Sequence, residues 1–443
     1  MGFGSSVGLL KNREFAALAG TAFARSQAYS TILIALALYA DQFGTTGFVE
    51  GLFGTGFAVV QLLIVLPLGR QVDKGNAKRW LLAGLALNVV VFFGFMLVDS
   101  SVHIVLIRML QGIGASILWI TGSTVIGTIA PDGENGRWLG SYNQVAAFSS
   151  LAGDAVGGYL LYAYEFTFTY VVLSGVTVAA FLLVFAFLRN DPGGGVEGDA
   201  GGGRETLRAL LSLPMVKALV TFRLAFSVGK MAVIIFLPIL ARTEFGINAL
   251  VIGWILAGGK LTKSLTQGYV GDLSDRVTLR SEERRVGKKQ YFVVVGALLY
   301  GLGTALIPLS LYVDGAITPV RIRAFGGVQE LGGAFFALFG AYCILGVADS
   351  VRLPASMALF VEEGEKYDSV ASSMSLRSIS WKVGQVVGPV GVGLIKDFVS
   401  VQAAFYTAAG FIVVASGVFW VVFTRAAAAE EGDPPQATVD PGD

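Results

Sequence analysis

The sequence predicts an all-α membrane protein with twelve transmembrane helices in two pseudo-symmetric six-helix bundles. Three observations predict it. Of 443 residues, 54% are hydrophobic and 14% charged, whereas a soluble domain carries roughly 25% charged residues. Apolar segments of spanning length recur between polar breaks. A glycine-rich, charged segment interrupts the series halfway, and the sequences on its two sides repeat. The apolar share, about 239 residues, is close to the ~240 that twelve spans of ~20 residues would use. With a mean hydropathy of +0.69, a soluble enzyme, a disordered chain and a peripheral protein with one anchor are excluded. A net charge of +1 and the lack of a basic domain argue against nucleic acid.

The elements follow in order. Spans are expected at 15–39, 49–68, 80–98, 102–129, 138–162, 169–188, 215–241, 249–270, 291–313, 331–361, 370–395 and 403–423. Lipid leaves only helices and closed barrels with a satisfied backbone. Segments this long without period-2 alternation read as helices. The stretch RNDPGGGVEGDAGGGRE, 189–205, is glycine-rich and charged and reads as a flexible linker. The expected organisation is therefore a bundle over 1–188, a cytoplasmic linker over 189–214, a second bundle over 215–425 and a disordered tail over 426–443. The polar N-terminus runs straight into the first span without a cleavage pattern, so no removed signal peptide is expected.

Orientation follows from loop cations, which are enriched on the cytoplasmic side. With a cytoplasmic N-terminus, nineteen Lys and Arg fall on inner loops and termini, against four (Arg242, Arg321, Arg323 and Lys396) on outer ones. Both termini are expected in the cytoplasm, at the cell membrane. Cys343 and His103 are the only cysteine and histidine, so neither an internal disulfide nor a Cys/His metal cluster can form. His103 sits at the outer end of span four and reads as interfacial.

Sliding the chain by 202 residues aligns 43–74 with 245–276 without gaps. Phe43, Gly44, Val49, Gly51, Gly56, Leu63, Gly69 and Asp73 then meet identical residues at Phe245, Gly246, Val251, Gly253, Gly258, Leu265, Gly271 and Asp275. In both copies a Gly-x-x-x-Asp and a following cation, Lys74 or Arg276, close the second span of the half. Internal repeats of this kind mark secondary transporters. Span four carries RMLQGIGAS, with Arg108, Gln111, Gly112 and Gly114. Span five carries SLAGDAVGG, with Gly153, Asp154, Gly157 and Gly158. Span eleven carries GQVVGPVGVG, with Gly388 and Pro389.

Through these residues nearly the whole chain resembles the major facilitator superfamily, with motifs like those of drug/proton antiporters. The loop after span two is similar to the family's Gly-x-x-x-Asp-Arg-x-Gly-Arg-Arg/Lys, with Asn76 in place of the second glycine. The resemblance implies that Gly69, Asp73, Lys74, Gly271, Asp275 and Arg276 act in conformational change. It ties Arg108 to proton coupling and gives the glycines of spans four, five and eleven to helix packing. The span-five copy departs from the antiporter pattern, because Asp154 stands where the family has proline and Ser149 replaces the first glycine. Residues 280–288, RSEERRVGK, fall inside the second loop motif. They read like a translated sequencing adapter or a natural cytoplasmic insertion, and resequencing fresh DNA separates the two.

Nine cations fall within spans: Arg25, Arg108, Arg223, Lys230, Lys260, Lys263, Arg352, Arg377 and Lys382. The clear acids within spans are Asp154 and Asp349, with Glu330 at the edge of span ten. Charges within a membrane are costly and functional by default. The surplus leans toward an anionic small-molecule substrate, with Arg25, Arg223, Lys230 and Lys382 as its contacts. Arg352 and Arg377 are the cations expected to snorkel to an interface. Arg223 and Lys230 are seven apart and share a helix face. Asp349 and Arg352 are three apart and can pair, which favours Asp154 over Asp349 as the proton-coupling acid. By depth along antiparallel spans, Arg108 is the expected partner of Asp154, and Lys260 the alternative.

The expected function is secondary active transport by alternating access, proton-coupled, with efflux by antiport favoured. Uptake of an organic anion by symport is the rival within transport, and a membrane sensor or scaffold the rival outside it. No catalytic constellation is present, so no enzyme is expected, and no cofactor or metal. The partners are the substrate, protons and the lipid bilayer, with the chain acting as a monomer.

Overall fold

The computed structural model describes residues 8–74, 76–131, 134–190, 204–279, 289–325, 327–367 and 369–432. Helix α1 (Arg13–Phe43) starts at Asn12, whose side chain accepts from the backbone N–H groups of Glu14 (2.9 Å) and Phe15 (3.1 Å). These are donors that a helix start leaves unpaired. It ends at Gly44, whose φ of 55° is the left-handed value that glycine adopts without strain. Helices α2 (Gly47–Lys74), α3 (Ala77–Met96) and α4 (Ser101–Ile129) follow. Helix α5 (Asn135–Phe187) covers 53 residues, about 80 Å at 1.5 Å per residue, and breaks at Glu165 (φ 62°, ψ −165°). The loop expected between spans five and six is thus a single kinked position.

After a short α6 (Arg204–Ser212) come α7 (Pro214–Thr243), α8 (Ala249–Leu279) and α9 (Lys289–Leu306). A 3-10 turn, Ile307–Leu309, leads into α10 (Ser310–Val313). Strands β1 (Val320–Ala324) and β2 (Gly327–Leu331) pair antiparallel, with Val320 opposite Leu331. Helices α11 (Gly333–Lys366), α12 (Val370–Phe398) and α13 (Val401–Gly432) complete the chain. Among the described residues, eight helices are long and apolar enough to cross a membrane.

Three expectations change. Part of the 189–214 linker is helical: Leu207, Leu210 and Leu211 recur at i, i+3 and i+4 on α6 and pack on Val216 and Leu376. The tail is not disordered from 426, since α13 runs to Gly432. Ala426–Ala429 carry it, alanine being the strongest helix former. Span ten begins at Gly333 rather than at 331, because Glu330 lies in the hairpin and pairs with Arg321 at 2.8 Å. Residues 280–288 and 433–443 lie outside the described residues.

Packing in one half of the chain recurs in the other. Helix α1 packs on α5, and α2 and α3 pack on α4. Correspondingly, α7 packs on α12 and α13, and α8 and α9 pack on α11. The halves meet where α2 crosses α12, α5 crosses α8 and α1 crosses α7. Gly51 and Gly253, equivalent in the repeat, sit at the first two crossings. A Cβ on Gly51 would lie 2.7 Å from the Pro389 carbonyl carbon, and one on Gly253 would strike the backbone of Asp154. Small residues let helix backbones approach this closely in a membrane. Near the N-terminus, Arg189 pairs with Glu14 at 2.5 Å and holds its carboxyl below the ordinary value. That contribution is present above the unfolded-chain pKa and is lost as pH falls through the lower folded value.

Candidate functional site

A cavity of about 190 Å³ lies between the halves, lined from α1, α5, α7, α8, α9 and α11. Two carboxylates organise its charges. Asp349, on α11, accepts from Lys230 of α7, from Lys263 of α8 (3.4 Å) and from Arg352, one turn along α11 (3.1 Å). Asp154, on α5, is fully buried and pairs with Lys260 of α8 at 2.6 Å. Lys260 also donates to the hydroxyls of Ser30 and Ser150, at 2.8 Å each, and these two hydroxyls bond at 2.7 Å. Helical spacing explains the gathering. Lys260 and Lys263 are three apart on α8, and Ser150 and Asp154 four apart on α5, so each pair shares a face. A buried carboxylate is tolerated only with such partners.

The structure corrects the pairing expected for Arg108. Its Nε donates to the Phe53 carbonyl (2.9 Å) and its Nη1 to Gln111 Oε1 (2.5 Å), while the guanidinium stacks over Phe57 at 4.3 Å. It therefore ties α4 to α2, and the alternative, Lys260, is the cation at Asp154. Arg108→Lys is expected to lose this forked geometry, because an ammonium cannot reproduce it. The expected destabilisation is about 2 kcal/mol, read as a lowered thermal unfolding midpoint in detergent; an unchanged midpoint would refute the role.

Arg352 does not snorkel. It is 1% exposed; its Nη2 donates to Asp349 at 3.1 Å and its guanidinium stacks on Phe226 at 3.8 Å, while among the described residues Nε and Nη1 have no hydrogen bond. Arg377 is half-buried between α7 and α12, and its carbonyl accepts from Arg223 Nε at 2.8 Å. Arg223 and Lys230 both stand over the Trp381 ring, at 5.0 and 5.9 Å, as their shared face requires. Arg25 lies over Trp119 at 4.6 Å, and among the described residues its Nε and Nη2 have no hydrogen bond. Lys382 donates to Gln61 of α2. Among the described residues, Arg25, Arg223, Arg377 and Lys382 have no acidic partner within salt-bridge distance. His103 pairs with Asp99 at 2.7 Å, at an exposed helix start.

The glycine motifs lie at helix crossings. Gly153 and Gly157 face Gln27 and Thr31 of α1, and Gly158 faces Ala249 and Gly253 of α8. In α12, Gly388 faces Val228 of α7, while Pro389 lies against Gly51 of α2. Gly112 and Gly114 meet Phe57 of α2 and Asn88 of α3. Gly69, Asp73 and Lys74 fall on the last turns of α2, and Gly271, Asp275 and Arg276 on α8; their side chains lie outside the described residues.

Sequence reading missed the cross-half contacts at the end of the molecule remote from the N-terminus. Glu50, 1% exposed, pairs there with Lys396 of α12 at 2.7 Å. Asp397 accepts from the N–H groups of Gly47 (2.6 Å) and Phe48 (2.8 Å) at the start of α2, where the helix dipole favours an anion. Arg242 of α7 pairs with Asp41 of α1 at 2.7 Å. The β-hairpin reaches across the α5–α8 crossing: Gln329 bridges Asn248 (2.7 Å) and Tyr162 (3.0 Å), and Phe325 packs on Tyr159. An acid in the apolar run GFVEGLF was the available signal for Glu50. Glu50→Gln is expected to leave Lys396 without its counter-charge and to weaken this closure. Thermal unfolding checks it, with a loss of about 3 kcal/mol expected from a broken buried pair.

This fold, with a charged cavity at the meeting of two similar halves, defines a multi-pass helical carrier. The sequence profile of the Major Facilitator Superfamily matches residues 18–276 and 219–440, and the chain belongs to that family. It is a membrane transporter and not an enzyme. It is 24% identical to the uncharacterized MFS-type transporter YuxJ of Bacillus subtilis (strain 168), over 87% of this chain and 92% of the relative. It is also 24% identical to the multidrug resistance protein MdtG of Dickeya zeae (strain Ech586), over 91% and 92% of the two chains. In fold it is similar to a bacterial homologue of the human lysosomal transporter Spinster in an inward-facing, occupied conformation. That similarity has a TM-score of 0.73 at 14% identity and covers 94% of this chain and 97% of the other.

Proposed function

We propose that the chain is a proton-coupled secondary transporter that moves a small organic anion by alternating access, with efflux by antiport as its direction. The observation that carries the proposal is the Lys260–Asp154 pair, a buried ion pair formed across the two halves at the cavity. A group that is paired in one conformation and freed in another can take up and release a proton, because pairing and burial both shift carboxylate protonation. Direction rests on resemblance, since multidrug resistance proteins are among the relatives. Uptake of the anion by symport is the second reading, supported by the cationic cavity.

The reading includes twelve spans in two bundles, over 1–188 and 215–425. Eight helices meet the apolar criterion alone. The kink in α5 divides it into two arms, each of spanning length. Helices α1, α8 and α12 supply the remaining three. Their cations and hydroxyls lower their hydropathy because they face neighbouring protein and the cavity rather than lipid. Among the described residues, the cross-half hydrogen bonds and ion pairs run from the remote end as far as the level of Gln61 and Lys382. With both termini cytoplasmic, this is a carrier closed outside and open inside, working as a monomer in the cell membrane. Asp73, Asp275 and their neighbouring glycines and cations would hold the opposite, inward-closed state.

The test is transport in proteoliposomes by a panel of anions, cations and neutral solutes, with and without a pH gradient. Gradient-driven movement of an anion is expected. Movement of cations alone would overturn the anionic substrate, and indifference to the gradient would overturn proton coupling.

A further inference from the structure

The charges on the cavity wall and directly behind it do not balance. Lys230, Lys263 and Arg352 converge on the single carboxylate of Asp349. Asp154 and Lys260 cancel one another. Taken at formal charge, two positive charges remain uncompensated beside the cavity. Lys263 holds the weakest claim on Asp349. At 3.4 Å it approaches the same Oδ2 that Lys230 already contacts, and its side chain, which lines the cavity, is 31% exposed.

Neutral donors stand beside these cations. Tyr300 of α9 and Tyr342 of α11 both line the cavity. Each lies within electrostatic reach of Asp349, and no hydrogen bond of either hydroxyl occurs among the described residues. Phenol hydroxyls near excess positive charge are donors suited to an oxyanion. The size of the space limits what can use them. At about 190 Å³ it lies below the ~300 Å³ where pockets for drug-sized ligands begin.

From these three observations we infer that the cavity binds a compact oxyanion carrying two negative charges, held by Lys230 and Lys263 with Tyr300 and Tyr342 as donors. A small dicarboxylate and a phosphoryl group share this chemistry. The inference rests on the transport reading for its biological sense and deepens it by naming the substrate class, but it is a statement about binding and can be tested without transport. Lys263 decides valence, because it brings the second uncompensated charge and can be removed without leaving Asp349 unpaired. Lys230 and Arg352 remain on that carboxylate.

The experiment is calorimetric titration of the full chain in detergent at pH 8 and constant ionic strength. The probes are succinate, inorganic phosphate and acetate. Succinate or phosphate is expected to bind at least ten-fold more tightly than acetate, and whichever binds identifies the source of the charge. Lys263→Gln is expected to weaken the dianion at least ten-fold while changing acetate less than three-fold. Tyr342→Phe, which keeps the ring and its packing, is expected to weaken the dianion several-fold and serves as the second variant should Lys263→Gln not fold. Equal affinity for acetate and the dianions, or no binding of either dianion, would overturn the inference. Dianion binding without any transport in proteoliposomes would instead overturn the transport reading and leave the site standing. Transport of a neutral or cationic solute, with no dianion binding, would do the reverse.

Discussion

Asp154→Asn is expected to fold, to bind substrate and to lose the response of transport to a pH gradient. Asparagine keeps the shape and removes the carboxylate that, among the described residues, alone contacts Lys260. Removing one partner of a buried pair costs about 3–5 kcal/mol. Here the loss should fall at or below the lower end, because Lys260 is 25% exposed and keeps the hydroxyls of Ser30 and Ser150. The response to the gradient, with thermal unfolding reporting the folded fraction, therefore separates two roles for one residue. If the pair only fastens α5 to α8, the variant is less stable, and whatever fraction folds still answers the gradient. If Asp154 carries the proton, substrate exchange persists and gradient-driven accumulation stops. Full gradient-driven transport by a well-folded Asp154→Asn protein would remove Asp154 from the coupling mechanism.

The second large effect is expected at a position without a side chain. Gly51→Val would place a branched Cβ within 3 Å of the Pro389 carbonyl carbon and of Val390 Cα. Backbone cannot rotate away as a side chain does, so α2 and α12 must separate. Overpacking costs typically 1–3 kcal/mol, and here the strain is relieved by opening the remote end, where Glu50, Lys396 and Asp397 hold it shut. Replacing Cys343 by alanine and introducing a cysteine at Thr55, which bonds the Val386 carbonyl across the same crossing at 2.7 Å, gives the readout. A membrane-impermeant thiol reagent added outside should label the Gly51→Val background and spare the parent. Equal labelling in both would show that the glycine does not govern closure. Gly253→Val, at the equivalent place in the repeat, should behave likewise through the backbone of Asp154.

Much of this was legible because spanning segments announce themselves by length and apolarity. The repeat aligned Gly51 with Gly253, but that both sit at crossings between the halves came only from the structure, because a repeat gives equivalence and not a packing partner. The pairing of Asp154 was not legible to the same degree. Counting residues along a helix gives depth, at 1.5 Å per residue, and depth put Arg108 level with Asp154. It says nothing about direction around the axis, and Arg108 faces Phe53 and Gln111. Asp349 and Arg352 succeeded because three residues along one helix fix both depth and direction. The hairpin carried a readable signal, Val320, Ile322 and Ala324 alternating with Arg321 and Arg323. It was hidden by reading that stretch as a loop. The fully buried state of Arg352 had no such signal, since its shelter comes from Phe226, 126 positions away in sequence.

The unbalanced cations beside Asp349 have a consequence for energetics under voltage. Moving one elementary charge through a membrane potential of 100 mV changes its energy by about 2.3 kcal/mol. In the proposed carrier, with its cavity open to the cytoplasm, Lys230, Lys263 and Arg352 would sit near the potential of that compartment, which is negative in a living cell. The empty carrier would thereby be held facing inward, and its return to the outside would become the electrically opposed step. A bound dianion of the inferred class would cancel the surplus, so the loaded carrier would cross almost without regard to the field. Membrane potential would then set the pace of the cycle through the unloaded protein, and depolarisation would speed the appearance of empty sites at the outer face.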